Sequence, residues 1–244
     1  MLVKALPHVG DKHGETVCCA GVTINGEWRR LFPVSFRSLD KERKFNRWDW
    51  IEYNWRSPKS DRRPESRHVQ ENSIRVLHKL VQKERHTFLQ RIVRQSVLEA
   101  EEAGETLVLI RPKESWFYWE EKSPEKLEQQ SKEYQAAASQ LSFFADDKRP
   151  LVPCPFEFKF RYRSADGQPH TATCDDWETS ATYFRLERRH GSATALERMS
   201  TIFNQQYVSA GMAFAMGTHS RFPKTWLLVG IIRLDETTQQ SLEV

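Results

Sequence analysis

Residues 156–162 read Phe-Glu-Phe-Lys-Phe-Arg-Tyr, a strict alternation of ring and charge. Successive side chains on a strand point to opposite faces, so this stretch buries one aromatic face only if it is extended. Phe158 and Phe160 then point inward, and Glu157, Lys159 and Arg161 point outward. Asp166-Gly167 follows, a pair that tolerates the backbone of a tight hairpin turn, and a partner strand is predicted over 170–174.

Further strands are predicted on both sides of this hairpin. Residues 16–22 are rich in β-branched and small apolar side chains, Asn25-Gly26 marks a second hairpin turn, and 28–36 runs on with Pro33 at an edge or bulge. Residues 48–55 place Trp48, Trp50, Tyr53 and Trp55 in near alternation, with Trp48 and Trp50 sharing a core face. Several short strands joined by turns predict a small N-terminal β-barrel. Apolar residues at Ile74, Leu77, Val81, Phe88, Ile92 and Val97 predict a helix over 73–103, stopped at Gly104. A buried strand over 106–110 follows. Ser123-Pro124 opens a polar helix reaching Leu141. Asp175 and Glu178 have the spacing of a capping box, with Asp175 as the cap of a helix through Arg189 that Gly191 ends; Thr194 and Glu197 repeat that spacing. Apolar strands over 212–216 and 225–234 complete the chain. The expectation is an α+β fold: a small N-terminal β-barrel packed with a mostly antiparallel sheet and several helices. It divides into 1–70 and 71–244, or forms one continuous domain; 57–70 is the natural place for a boundary.

Function is most legible in residues 28–68. This segment packs Trp28, Trp48, Trp50 and Trp55 into a dense run of Lys and Arg. Residues 1–70 carry 14 Lys/Arg against 9 Asp/Glu, whereas 131–244 carry 13 of each, so the positive excess is N-terminal. Guanidinium groups hold phosphates and flat rings stack on bases. The candidate nucleic-acid contacts are Arg29, Arg30, Arg37, Lys44, Arg47, Trp50, Trp55, Arg62, Arg63 and Arg67.

Four other groupings bear on chemistry. Asp175, Asp176 and Glu178 cluster at a strand end, where carboxylates could bind a divalent metal or simply cap a helix. His219, in Gly217-Thr218-His219-Ser220, stands between two apolar strands as a possible base or ligand. Glu157-Phe158-Lys159 after Asp146-Asp147 has the Asp…Glu-x-Lys pattern of a large nuclease superfamily. His170, Cys174 and Cys154 supply three zinc ligands without a fourth. Dinucleotide fingerprints, phosphate loops, Ser or Cys elbows and His-Glu-x-x-His are all missing from the sequence, and no cofactor and no resident metal are expected. The four cysteines show no disulfide framework, the N-terminus lacks a signal-peptide core, and the longest apolar run is far short of a membrane span. These features point to a bacterial or phage cytoplasm and away from a membrane.

The stretches at 14–37, 174–184 and 216–232 together resemble an uncharacterised bacterial protein family, a resemblance that carries no activity with it. The predicted barrel, with a turn leading into an apolar strand over 45–53, is similar to PUA-like and ASCH-like barrels. That similarity implies binding of RNA or modified bases. Those families usually place Gly-Asp before this strand; Arg47-Trp48-Asp49 stands here. The expectation is a cytoplasmic protein that binds DNA or RNA, with a protein partner in a larger bacterial complex. The alternatives are a metal-dependent nuclease or phosphodiesterase using Asp175, Asp176, Glu178 and His219, or an interaction subunit without catalysis.

Overall fold

Residues 212–216 carry no polar side chain, and a strand that is apolar on both faces must be covered on both. The computed structural model, which describes residues 1–10, 14–59, 61–141, 150–219 and 222–234, places this strand at the centre. In chain order the elements begin β1 (Val3–Lys4), β2 (His8–Gly10), β3 (Gly14–Thr16), β4 (Cys19–Val22), β5 (Trp28–Phe32), β6 (Asp49–Glu52), β7 (Trp55–Arg56), β8 (Ser66–Val69) and β9 (Arg75–Lys79). There follow α1 (Gln82–Gln90), β10 (Val93–Arg94), α2 (Val97–Glu102), β11 (Leu107–Ile110), β12 (Glu114–Glu121) and α3 (Pro124–Leu141). The last group is β13 (Phe156–Arg163), β14 (Pro169–Thr173), α4 (Trp177–His190), α5 (Ser192–Thr201), a π-helical turn at Ile202–Gln206, α6 (Tyr207–Ser209), β15 (Met212–Thr218) and β16 (Trp226–Arg233).

The fold is α+β. A four-stranded sheet of order β10-β11-β15-β16 forms the middle layer. One face presents Ile110, Phe214, Met216, Leu228 and Ile231 to a core shared with Phe117, Phe158 and Phe160 of the β12-β13-β14 sheet and with Tyr183, Leu196 and Met199 of the helices. The opposite face presents Leu107, Leu109, Ala213, Ala215 and Ile232 to a second core, closed by Leu2, Val3, Ala20, Trp48 and Leu89. There β1 crosses β16 so closely that a Cβ on Gly230 would lie 2.9 Å from Val3 Cγ2. A third core, holding Leu31, Phe45, Val69 and Ile74, lies against the five-stranded sheet β1-β4-β5-β8-β7.

The aromatic hairpin forms as its alternation requires, with Phe158, Phe160 and Tyr162 buried, Arg161 exposed, and Gly167 turning at φ 84°. The Asn25-Gly26 hairpin, the strand at β11 and the helix at α3 also form where the residues place them. The N-terminal barrel does not. Among the described residues, these strands make an open sheet and two separate ladders, β2-β3 and β6-β9. The two-residue strands β1 and β7 lie at opposite ends of that sheet, too short to carry the hydrogen bonding round to closure. The expected helix over 73–103 is instead β9, α1, β10 and α2. Leu77 and Val81, two members of the apolar period, are exposed. Ser96 accepts from Glu99 N at 3.3 Å and starts a new helix where the long one was expected to continue. Thr194 and Glu197 lie inside α5, which begins directly behind Gly191 at φ 78°.

The cap of α4 is Asp176, one residue after the expected Asp175. Its carboxylate accepts from Glu178 N at 3.2 Å, Thr179 Oγ1 at 3.3 Å and Ile231 N at 3.3 Å, and forms an ion pair with Arg47 at 3.3 Å. Arg47 also pairs with Glu178 at 3.2 Å and donates to the Ile231 carbonyl. One buried group thus ties the N-terminal region, α4 and strand β16 of the central sheet together. Removing one partner of a buried ion pair strands the other charge. Asp176→Ala is therefore expected to cost about 3–5 kcal/mol in urea unfolding, and Arg47→Met/Asp176→Ala to cost less than the two single changes summed. Additive effects within error would show that the pair is not coupled.

Candidate functional site

Four of the basic candidates in 28–68, Arg30, Arg37, Arg47 and Arg63, are committed within the fold. Arg30 is buried, pairs with Glu65 at 3.0 Å and donates to the Thr106 carbonyl at 3.0 Å. Arg47 is the clamp just described. Arg37 pairs with Glu15 at 2.7 Å. Arg63 pairs with Asp61 at 2.7 Å and donates to the Thr218 carbonyl at 2.8 Å. Trp48 lies in the core at φ 75°, ahead of β6 and out of its alternation, with the Arg85 guanidinium 4.6 Å above its ring. Trp50 is half-buried against Phe88, ring to ring at 5.6 Å. Lys44 and Arg62 are exposed.

Trp55 and Arg67, with Arg29 nearby, lie at the β5-β8-β7 end of the open sheet. Trp55 is 48 % exposed, and the Arg67 guanidinium stacks 4.2 Å from its ring centroid. Arg67 donates to the Pro64 and Ser66 carbonyls, each at 2.8 Å, and its buried Nε has no partner among the described residues. Burial and neighbouring Arg29 both work against its charge and lower its pKa. Arg29 itself pairs with Glu27 at 2.6 Å. On the opposite face of the same three strands, the register sets Phe32, His68 and Arg56 in one row. Phe32 is 43 % exposed, and Arg56 Nη2 meets His68 Nε2 at 3.1 Å. Sequence reasoning missed Phe32, Arg56 and His68, because only the strand register brings them together.

The acidic candidates separate. Asp176 caps α4, and Glu178 pairs with Arg47 and with Lys4 at 3.6 Å. His219 stays in the β15-β16 connection, where its Nδ1 accepts from Phe222 N at 3.2 Å and its ring stacks on Phe222; Ser220 lies outside the described residues. Lys159 pairs with Glu120 and Glu157, and Glu157 also takes Lys126, so Glu157 and Lys159 belong to a surface ion-pair network. Asp146 and Asp147 lie outside the described residues. His170 stacks on Tyr162 at 5.0 Å. Among the described residues no three His, Cys, Asp or Glu side chains are grouped to hold a metal, and no helix is long and apolar enough to cross a membrane.

A family model described as Domain of unknown function (DUF8757) matches residues 85–243, well over half of the chain. The chain belongs to this family. A second model, Domain of unknown function (DUF8758), matches residues 1–95, so the open sheet with its exposed rings falls in the DUF8758 match and the α4 turn in the DUF8757 match. No curated protein and no solved structure matches the chain.

Within the DUF8757 region, Asp175 points away from the clamp that holds its neighbour. It lies partly buried in a cleft, beside Lys122. Burial, reinforced by the Asp176 charge, pushes its carboxyl up to about 7 from the ordinary 3.8. The folded chain therefore keeps this proton to a higher pH than the unfolded chain does. The stability linked to it is complete below about pH 4 and is lost as pH rises towards 7. Asp175→Asn, which stays neutral throughout, should match the native protein in thermal melts near pH 4 and exceed its Tm at pH 8. Equal destabilisation at both pH values would show that Asp175 makes a contact the structure does not assign.

Proposed function

We propose that the chain binds single-stranded nucleic acid, DNA or RNA, across the β5-β8-β7 end of its N-terminal sheet. The observation that carries this reading is the Trp55–Arg67 stack: an exposed indole, with a guanidinium held against it at 4.2 Å, on an edge strand. A base stacks on such a ring whatever its identity, and unpaired strands offer base faces that a duplex hides. Arg67 is under-satisfied where it stands, with a buried Nε–H and the neighbouring Arg29 opposing its charge. A phosphate at this surface would offset the repulsion between the two arginines. Arg56, which meets His68 Nε2, and exposed Arg62 add positive charge to this part of the chain. The reading depends on the open sheet and needs no PUA-like barrel. It places the protein in a cytoplasm, where such strands arise, as part of a larger bacterial assembly. The nuclease alternative draws no support from the acids, since Asp176 and Glu178 are engaged by Arg47.

Titration of labelled oligo-dT and oligo-U by fluorescence anisotropy at two salt concentrations tests the reading. Trp55→Ala should weaken binding by about 1–3 kcal/mol, the worth of one stacked base. Arg62→Ala should reduce the salt slope by about one without changing sequence preference. Arg63→Ala should chiefly lower stability, because Asp61 and the Thr218 carbonyl hold that side chain. Unchanged affinity in both Trp55→Ala and Arg67→Ala would rule the platform out.

A further inference from the structure

A cleft of about 1180 Å³ opens between α3, residues 150–155, the start of β13 and α4, in a part of the protein the sheet platform does not use. Pro150, Pro153 and Pro155 stiffen one wall. Leu127, Phe156 and Phe184 make much of the lining apolar. An acid, Asp175, and a base, Lys122, line this space. The backbone of Asp175 is tied to Leu6 and Leu228, but its carboxyl group accepts no hydrogen bond from, and forms no ion pair with, any described residue. Lys122, close enough to act on Asp175 electrostatically, directs its ammonium to Gln130 Oε1 at 3.0 Å instead. The acid and the base are thus present together and not neutralised by each other.

We propose that this cleft binds a small zwitterion with an apolar body, an amino acid or short peptide, its ammonium on Asp175 and its carboxylate on Lys122. A simple cation would satisfy Asp175 but face Lys122; a simple anion would do the reverse. A ligand carrying both charges satisfies both groups, and the apolar walls take its side chains. Burial already works against each charge, raising the Asp175 pKa and lowering that of Lys122, so bound counter-charges are stabilised at both ends. Sites for drug-sized molecules occupy roughly 300–1,000 Å³, so a dipeptide has room. The assignment is independent of nucleic-acid binding.

Calorimetric titration of the full chain with the dipeptide Leu-Phe, its N-acetyl derivative and its C-terminal amide tests this. Leu-Phe should bind, and each blocked form should bind at least about tenfold more weakly, as the loss of a charged hydrogen bond implies. Asp175→Asn should abolish the penalty for acetylation alone, and Lys122→Gln the penalty for amidation alone. Asp175→Asn replaces a destabilised charge, so a folded variant is expected, and circular dichroism verifies both variants. Tighter binding of phenylalanine than of Leu-Phe would assign the site to single amino acids, and the opposite order to peptides. No binding of either, equal binding of the blocked forms, or unchanged discrimination in both variants would overturn the proposal.

Discussion

A single carboxylate, that of Asp176, satisfies three demands at once. It caps α4, accepts from the backbone of β16 and neutralises Arg47, which the N-terminal region delivers from 129 positions away in sequence. A buried ion pair is not in itself strongly stabilising, because desolvation offsets the attraction. What it does enforce is geometry, since neither charge can be left alone. The turn at 174–177 is thereby fixed, and with it the direction of the residue before the cap. Asp176 faces inward to the clamp, so Asp175 faces the cleft.

The two surfaces discussed above depend on the central sheet in different ways. Covered on both sides, it provides a rigid layer with one core towards the aromatic hairpin and α4, and another towards β1 and Trp48. The cleft lies on the first side, where α3 and α4 stand over the start of β13. The exposed rings belong to the five-stranded sheet, whose own core reaches the surface at β7. Because the two surfaces sit on different layers, ligands at the two sites have no shared side chain through which to compete.

Much of the fold was legible where structure is decided locally. The alternation at 156–162, the Asp166-Gly167 and Asn25-Gly26 turns, the Ser123-Pro124 start and the Gly191 stop all depend on a few adjacent residues, and each forms as read. The failures are non-local. Leu77 and Val81 mimic a helical period, yet β9 is held by pairing with β6, more than twenty residues earlier. Asp175 and Asp176 both suit a cap. The choice falls to Asp176 because Arg47 and Ile231 converge on that carboxylate. The basic segment was the hardest to read. Nothing in its composition tells an arginine that will meet Glu65 or Glu15 inside the fold from one that will face water. Register alone puts Phe32, His68 and Arg56 in one row. The cleft was invisible because Lys122 and Asp175 meet only through tertiary packing.

The brevity of β7 has a consequence of its own. An edge strand normally offers its unpaired N–H and C=O groups to any passing extended chain, the route to fibrils and to recognition by strand addition. Here the exposed edge is two residues long, and one of them is Arg56. That is too short to template a ladder and too charged to tolerate a second copy alongside. Molecules that approach this end of the sheet are therefore met by rings and guanidinium groups and not by main-chain hydrogen bonds. An exposed tryptophan can stand there without making the protein adhesive to itself.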